Sequence, residues 1–306
     1  MKETIQRVPI PVCGVALGMA ALGNLLQSGS QGIRNACGAI SGLLLVLALL
    51  KAAFFPQLVR EDLKNPVTAS VSAAFPMALT LLSVYLQPWL GWGAYGLWLF
   101  ALGLHAVILV CFTGRFLFKL KMEQVFASYF IVYVGIASSA VTAPAYGRQD
   151  LGAALVCFAL AALAALFVLI TWRYIRFPQT PESAKPLLCI YTAPTNLCIV
   201  GYIQSVETKS PALLLFLLGL AAPLYLFALR QAIRCLKMPF YPSYAAFTFP
   251  FVVSAVAVSQ SIACLAELGV SAPWLEYPAL AETAIAAGLT FYTLARYLGF
   301  LFDPKD

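Results

Sequence analysis

The stretch AAFTFPFVVSAVAVS, residues 245–259, reads as the interior of a membrane helix that carries a proline. Pro250 follows closely on two phenylalanines, Phe247 and Phe249. A proline inside a helix removes a backbone hydrogen bond and kinks the helix, at a cost of about 3 kcal/mol or more. A helix that only has to span lipid needs neither the kink nor the two rings. Both features therefore indicate a role besides spanning the membrane.

The composition predicts an all-α polytopic membrane protein. Of the 306 residues, 62% are hydrophobic and 10% are charged, and the mean hydropathy is +0.88. A soluble domain has about half apolar and about a quarter charged residues. The apolar stretch that starts near Val8 is long and has no evident cleavage site, so we do not predict a cleavable signal. We expect one transmembrane domain over residues 1–306, in the cell membrane (plasma or inner membrane).

The apolar stretches predict ten transmembrane helices. About 20 apolar residues are needed to cross a hydrocarbon core of about 30 Å. Dividing the chain at its charged and turn residues gives stretches of this length at 8–28, 33–55, 69–88, 92–114, 124–144, 151–172, 187–206, 211–232, 243–265 and 276–300.

The basic residues predict the orientation of these helices, because Lys and Arg collect on the cytoplasmic side. With ten helices, 16 of the 19 basic residues fall on the side that holds both termini, and only Arg34, Arg148 and Lys209 fall on the other. Both termini are therefore predicted to be cytoplasmic. The net charge of +7 follows mostly from this bias, so we expect no nucleic-acid partner.

A repeat of about 60 residues divides the ten helices into five hairpins. The first, third, seventh and ninth predicted helices each have a proline, at Pro11, Pro76, Pro194 and Pro250. In the fifth helix Gly135 lies at the position where the repeat would place a proline. Irregular helices are tolerated where they are buried in protein or line a watery cavity. We therefore predict an inner ring of odd helices and an outer ring of even ones. The alternative is that these Pro and Gly residues only tighten helix packing.

Four short motifs in this order resemble the tellurite-resistance/dicarboxylate transporter family, which includes the bacterial TehA proteins and the plant guard-cell slow anion channels. They are CGVALGMAAL (13–22), a proline in the third helix, GIASSA (135–140) and FTFP (247–250). The resemblance covers essentially the whole chain. In the fifth helix the chain departs from these relatives, because Ser128 lies near the place of their proline.

The resemblance implies five helical hairpins around a central pore, within a homotrimer, and small anions as the substrate. It also implies that Phe249 plugs the pore and that Gly14 lets the first helix approach the pore axis. Phe247 is expected to pack against a neighbouring helix. The pore-lining or kink positions are Gly14, Gly18, Pro76, Gly135, Pro194 and Pro250.

The predicted pore is neutral, since the five odd helices contain no Asp, Glu, Lys, Arg or His. A cation channel is expected to show a carboxylate ring, and a proton-driven carrier a titratable group in its path. The leading hypothesis is a passive channel for anions such as chloride or nitrate. The alternative is a secondary transporter of dicarboxylates, sulfite or tellurite-related anions, in which Glu282 could couple protons.

His105 is expected to be a packed ring, although a pH sensor at a subunit contact is an alternative.

An enzyme is not expected, because one histidine and no intramembrane carboxylate pair supply no nucleophile and base. The eight cysteines include no CxxC pair and no Cys/His cluster, so no metal or cofactor is expected.

Overall fold

The structure, a computed structural model, describes residues 2–302 as helices and their connections, without a strand in that range. The α-helices are α1 Lys2–Arg7, α2 Val12–Leu26, α3 Gln31–Phe54, α4 Pro56–Asp62, α5 Pro66–Val71, α6 Ala74–Leu90, α7 Trp92–Phe112, α8 Tyr129–Tyr133, α9 Ala137–Thr142, α10 Gln149–Arg176, α11 Ala193–Ser205, α12 Pro211–Cys235, α13 Phe249–Glu267 and α14 Glu276–Phe302. Short 3-10 helices cover Met122–Gln124, Ala143–Tyr146, Glu182–Thr192, Pro242–Phe247 and Pro273–Leu275, and a π-helical turn covers Thr113–Leu117.

Among residues 2–302, eight helices are long and apolar enough to cross a membrane. They correspond to eight of the ten predicted stretches, and the prediction of an all-α membrane protein is confirmed. The first stretch contains the shorter apolar helix α2, and the fifth is divided into α8 and α9. The count of ten spans therefore stays a prediction.

The helices pack as hairpins around a closed ring. Along the chain, α2 packs on α3, α6 on α7, α9 on α10, α11 on α12 and α13 on α14. The first helix of each hairpin also contacts the next one, in the order α2, α6, α9, α11 and α13, and α13 returns to contact α2. These five helices therefore form the inner ring.

Burial within the chain separates the inner helices from the outer ones. In the most apolar window of three inner segments, 61% (66–90), 89% (182–205) and 67% (242–267) of the residues are buried. The five outer segments have only 22% to 33% of that window buried. The outer helices thus present their apolar side chains to the surroundings, as lipid-facing helices do.

The four prolines lie at helix starts, whereas the sequence predicted that Pro250 kinks the interior of a helix. Pro11 is the N-cap of α2, Pro76 is the third residue of α6, and Pro194 and Pro250 are the second residues of α11 and α13. In the first turn of a helix proline forfeits no intrahelical hydrogen bond. Each of these segments is therefore broken ahead of its proline, which corrects the predicted kink at Pro250.

The fifth segment is broken by glycine instead of proline. Between α8 and α9 the backbone N–H of Gly135 donates to the carbonyl oxygen of Phe130 at 3.2 Å. A Cβ at Gly135 would overlap the carbonyl oxygen of Ile131 and lie 2.6 Å from the sulfur of Met77. Glycine thus permits the break at this point. Ser128, where the resemblance leads one to expect proline, accepts a hydrogen bond from Ser70 at 2.7 Å, which joins the third and fifth segments.

Candidate pore through the helix ring

A small cavity lies at the level where the inner segments are broken. This narrow cavity has a volume of about 50 Å³, and all its lining residues belong to the inner segments and their connections. Its lining includes Gly14, Gly135, Pro194, Phe249 and Pro250. No side chain that lines it is ionisable. The ring of inner helices thus encloses a small cavity with a neutral lining.

A larger cavity lies further along the inner helices, toward their C-terminal ends. This wide cavity has a volume of about 430 Å³. Its polar lining includes Asn24, Thr142, Gln204 and Gln260, which stand near the ends of four different inner segments. Arg34, from the start of α3, is its one charged lining residue within the described range 2–302. The wide cavity therefore carries several polar side chains and one positive charge, in contrast to the narrow one.

Two residues are shared by the cavities. Phe249 and Leu197 each line both the narrow and the wide cavity. Phe247 and Phe251, on either side of Phe249, are fully buried, whereas Phe249 remains 8% exposed. Phe247 packs instead on Tyr244, with ring centroids 4.8 Å apart. Of the three phenylalanines in this stretch, Phe249 is the one that lines both cavities.

The backbone just ahead of Phe249 is held against α2. The 3-10 helix ends at Phe247, and Thr248 has φ −96° and ψ −96°, outside the helical region. The Thr248 hydroxyl donates to the carbonyl oxygen of Gly14 at 3.0 Å. A Cβ at Gly18 would overlap the side chain of Thr248 and lie 2.9 Å from the backbone nitrogen of Phe249. The glycine at 18 therefore lets the start of α13 approach α2, and this approach fixes where Phe249 stands.

Four helices begin at the narrow cavity. Ala74, Ala193 and Phe249 are the first residues of α6, α11 and α13, Pro11 is the N-cap of α2, and all four line the cavity. These helices run for 13 to 19 residues away from it. The half-segments ahead of them are short α-helices or 3-10 helices. The first backbone N–H groups of α2 and α11 donate to carbonyl oxygens of those half-segments, so the breaks leave few free backbone donors.

The structure places five of the seven predicted site residues in the narrow cavity, namely Phe249, Gly14, Gly135, Pro194 and Pro250. Gly18 and Pro76 line neither cavity. Gly18 faces Thr248 and so acts on the pore through the position of α13. Pro76 lies in the first turn of α6, which starts at the cavity with Ala74.

Among the lining residues that sequence reasoning did not single out are Leu197, in both cavities, and Arg34, in the wide one. His105 is buried in α7, as expected of a packed ring, and its Nε2 lies 2.9 Å from the carbonyl oxygen of Val132. In a continuous α-helix that carbonyl would accept a bond from Ile136, which here lies in the break between α8 and α9. The imidazole therefore satisfies a backbone group that the break of the fifth segment leaves free.

A ring of broken helices around a neutral constriction is the architecture of a membrane channel or transporter. Residues 7–298 match the family model of SLAC1, the voltage-dependent anion channel. The chain therefore belongs to the SLAC1 family, and the predicted resemblance is confirmed. It is a multi-pass membrane protein of an anion channel and transporter family. No functionally curated protein matches the chain.

Proposed function

We propose that this protein is a passive channel for small anions such as chloride or nitrate, gated by the ring of Phe249. The observation that carries the proposal is the position of this ring between the two cavities. Removing it would join the narrow cavity to the wide one. An apolar constriction of this kind closes a pore by excluding water.

The chemistry around the constriction supports anions over cations. The narrow cavity has no carboxylate in its lining, and the starts of α2, α6, α11 and α13 surround it. The one charged residue that lines the adjoining wide cavity within residues 2–302 is Arg34, which is positive. A cation would therefore meet a positive charge and no carboxylate in the lining of the two cavities.

The rival proposal is a proton-coupled carrier, and Glu282 is the group that favours it. This carboxylate is buried in α14 and accepts a hydrogen bond of 2.6 Å from Ser254 of α13, the helix that carries Phe249. Glu282 nevertheless lines neither cavity. A coupling group that binds its proton in the substrate path would be expected in the lining. We therefore prefer the channel.

Phe249→Ala tests the gate. The substitution removes the ring without changing charge, so the constriction can hydrate and the anion current should rise steeply. A barrier lower by about 1.4 kcal/mol already raises the rate about tenfold. The measurement is voltage-clamp recording with a series of anions, at matched surface expression. Selectivity among anions should change less than conductance, because no charged group is altered.

Phe247→Ala is the matched control. It removes the same ring volume two residues away, from a side chain that lines neither cavity and is fully buried. This variant should lose stability and gain little current. Small and equal currents from the wild type and Phe249→Ala would contradict the gate and place the pore elsewhere.

Assembly and orientation form part of the proposal. We propose a homotrimer in the cell membrane with both termini in the cytoplasm, each protomer with its own pore. The resemblance supports the trimer, and the distribution of Lys and Arg supports the orientation. With this orientation the wide cavity opens to the outside.

A further inference from the structure

Arg34 places an isolated positive charge on the wide cavity. The cavity is lined by 21 residues, and the rest of them are apolar or neutral polar side chains. The same cavity is closed at one end by Phe249 and Leu197. An ion that approaches the constriction from this side therefore passes through a cavity whose one charged lining residue is Arg34.

The guanidinium of Arg34 is held in place by neutral groups. Its Nε donates to Asn24 Oδ1 at 3.2 Å, and its central carbon lies 4.2 Å from the ring centroid of Tyr85. Tyr85 is itself fixed, because its hydroxyl donates to the carbonyl oxygen of Ala20 at 2.6 Å. Within residues 2–302 the ion pairs involve Lys51, Lys64 and Arg148, and none of them involves Arg34. The charge of Arg34 is thus oriented but not neutralised by a carboxylate.

Side-chain amides around the same cavity add neutral donors. Gln204 Nε2 donates to Gln260 Oε1 at 3.1 Å, which joins the ends of the seventh and ninth segments. Asn24 and Gln27 line the cavity from the end of the first segment. In a cleft with low-dielectric walls, a fixed charge of one sign concentrates small ions of the opposite sign. Neutral amide N–H groups can then replace part of the water around such an ion.

We propose that Arg34, together with the amides of the wide cavity, forms a recruitment site for small monovalent inorganic anions ahead of the Phe249 constriction. This inference rests on the proposed anion-channel function and adds a binding step to it. The site raises the local anion concentration at the constriction. It favours flow that enters through the wide cavity over flow in the opposite direction.

The test is recording in the Phe249→Ala background, where the constriction is open. Arg34→Gln should lower the anion conductance for flow from the wide-cavity side about tenfold at low ionic strength. The loss should shrink as salt rises, since the Debye length falls from about 30 Å at 0.01 M to about 3 Å at 1 M. Arg34→Lys keeps the charge and should retain most of the conductance.

Arg148→Gln is the matched control. Arg148 lies on the same predicted side of the membrane but is paired with Asp150 at 3.4 Å and does not line the wide cavity. This variant should conduct as its Phe249→Ala parent does. Equal conductance from Arg34→Gln and its parent would overturn the recruitment site. Equal losses of conductance in Arg34→Gln and Arg34→Lys would also overturn the recruitment site. They would show that Arg34 acts through its packing and not through its charge.

A second measurement separates this site from the channel itself. Replacing a bulky organic anion by chloride at constant ionic strength should raise the Tm of the purified wild type, because a bound ligand stabilises the folded state. Arg34→Gln should lose that rise, and Arg148→Gln should keep it. If Phe249→Ala passes no anions, the gate proposal fails, while a chloride-dependent Tm that requires Arg34 still supports the site. A wild-type Tm that is indifferent to chloride would overturn the site whether or not the protein conducts.

Discussion

Gly18 is the residue whose size controls the approach of the gate helix to α2. Gly18→Ala should lower the free energy of unfolding by about 1–3 kcal/mol, the usual cost of forcing extra volume into a packed site. The reason is that the added methyl group meets Thr248 and the backbone nitrogen of Phe249, and the backbone cannot rotate away. Thermal unfolding of the protein in detergent measures the effect.

Gly103→Ala is the control for this substitution. Gly103 lies within α7, and a Cβ there would meet nothing within 4 Å. An alanine in the interior of a helix is favoured over glycine by roughly 0.5–1 kcal/mol, so this variant should be unchanged or slightly more stable. Equal Tm values for Gly18→Ala and the wild type would show that α13 does not depend on this close approach.

Some residues around the two cavities could be singled out from the sequence, and others could not. Phe249 and Gly18 stand in short motifs of aromatic or small residues, which mark them among their neighbours. Leu197 gives no such signal, because one more leucine in an apolar segment is indistinguishable from a packing residue. Arg34 was assigned only to the side of the membrane with few basic residues. Its place in a cavity depends on Asn24 and Tyr85, which pack against it through the fold.

At the scale of elements, α13 and α14 are joined by the hydrogen bond between Ser254 and Glu282. Glu282→Gln keeps a group that can accept from Ser254 but cannot exchange a proton. A channel should therefore show nearly unchanged anion flux down a gradient. A coupled carrier should lose its uphill anion uptake. Vesicles with an imposed pH gradient and a measured anion content distinguish the two outcomes.

Glu276→Gln is the control for the Glu282 experiment. Glu276 is the first residue of α14 and is exposed. Wild-type vesicles that accumulate anions in response to the pH gradient, with a loss in Glu282→Gln but not in Glu276→Gln, would favour the carrier. The passive channel proposal would then have to be abandoned.

The sequence predicted where most of the outer helices lie. For the inner segments it predicted that they are irregular, but not where they break. Predicted stretches 92–114 and 211–232 begin where α7 and α12 begin, at Trp92 and Pro211. Such helices are uniform apolar rods, so length and composition define them. The inner segments end and restart at points that depend on partners from other helices, as His105 does for the carbonyl of Val132. A pattern of prolines therefore indicated irregularity without showing that each segment becomes two helices.

At the scale of the whole molecule, closure of the ring joins the first segment to the ninth. The hydrogen bond from Thr248 to Gly14 spans 234 residues of sequence. No local pattern encodes a contact over such a distance, and the inner ring was predicted only from a repeat and a resemblance. Through the contact between α13 and α2, the five repeats form a closed ring.

The orientation of the molecule gives the last prediction. Because 16 of the 19 basic residues fall on one side, reporters fused after Arg148 and after Lys209 should be external, and those after Lys64 and Lys121 should be cytoplasmic. These four positions lie in connections between helices, so the fusions interrupt no span. Accessibility of the reporters to an impermeant reagent measures the sidedness. The test bears directly on the first and fifth segments, the two that contain no single helix long enough to cross a membrane. If either failed to cross, the later fusions would change sides, and the ring around Phe249 could not form a path across the membrane.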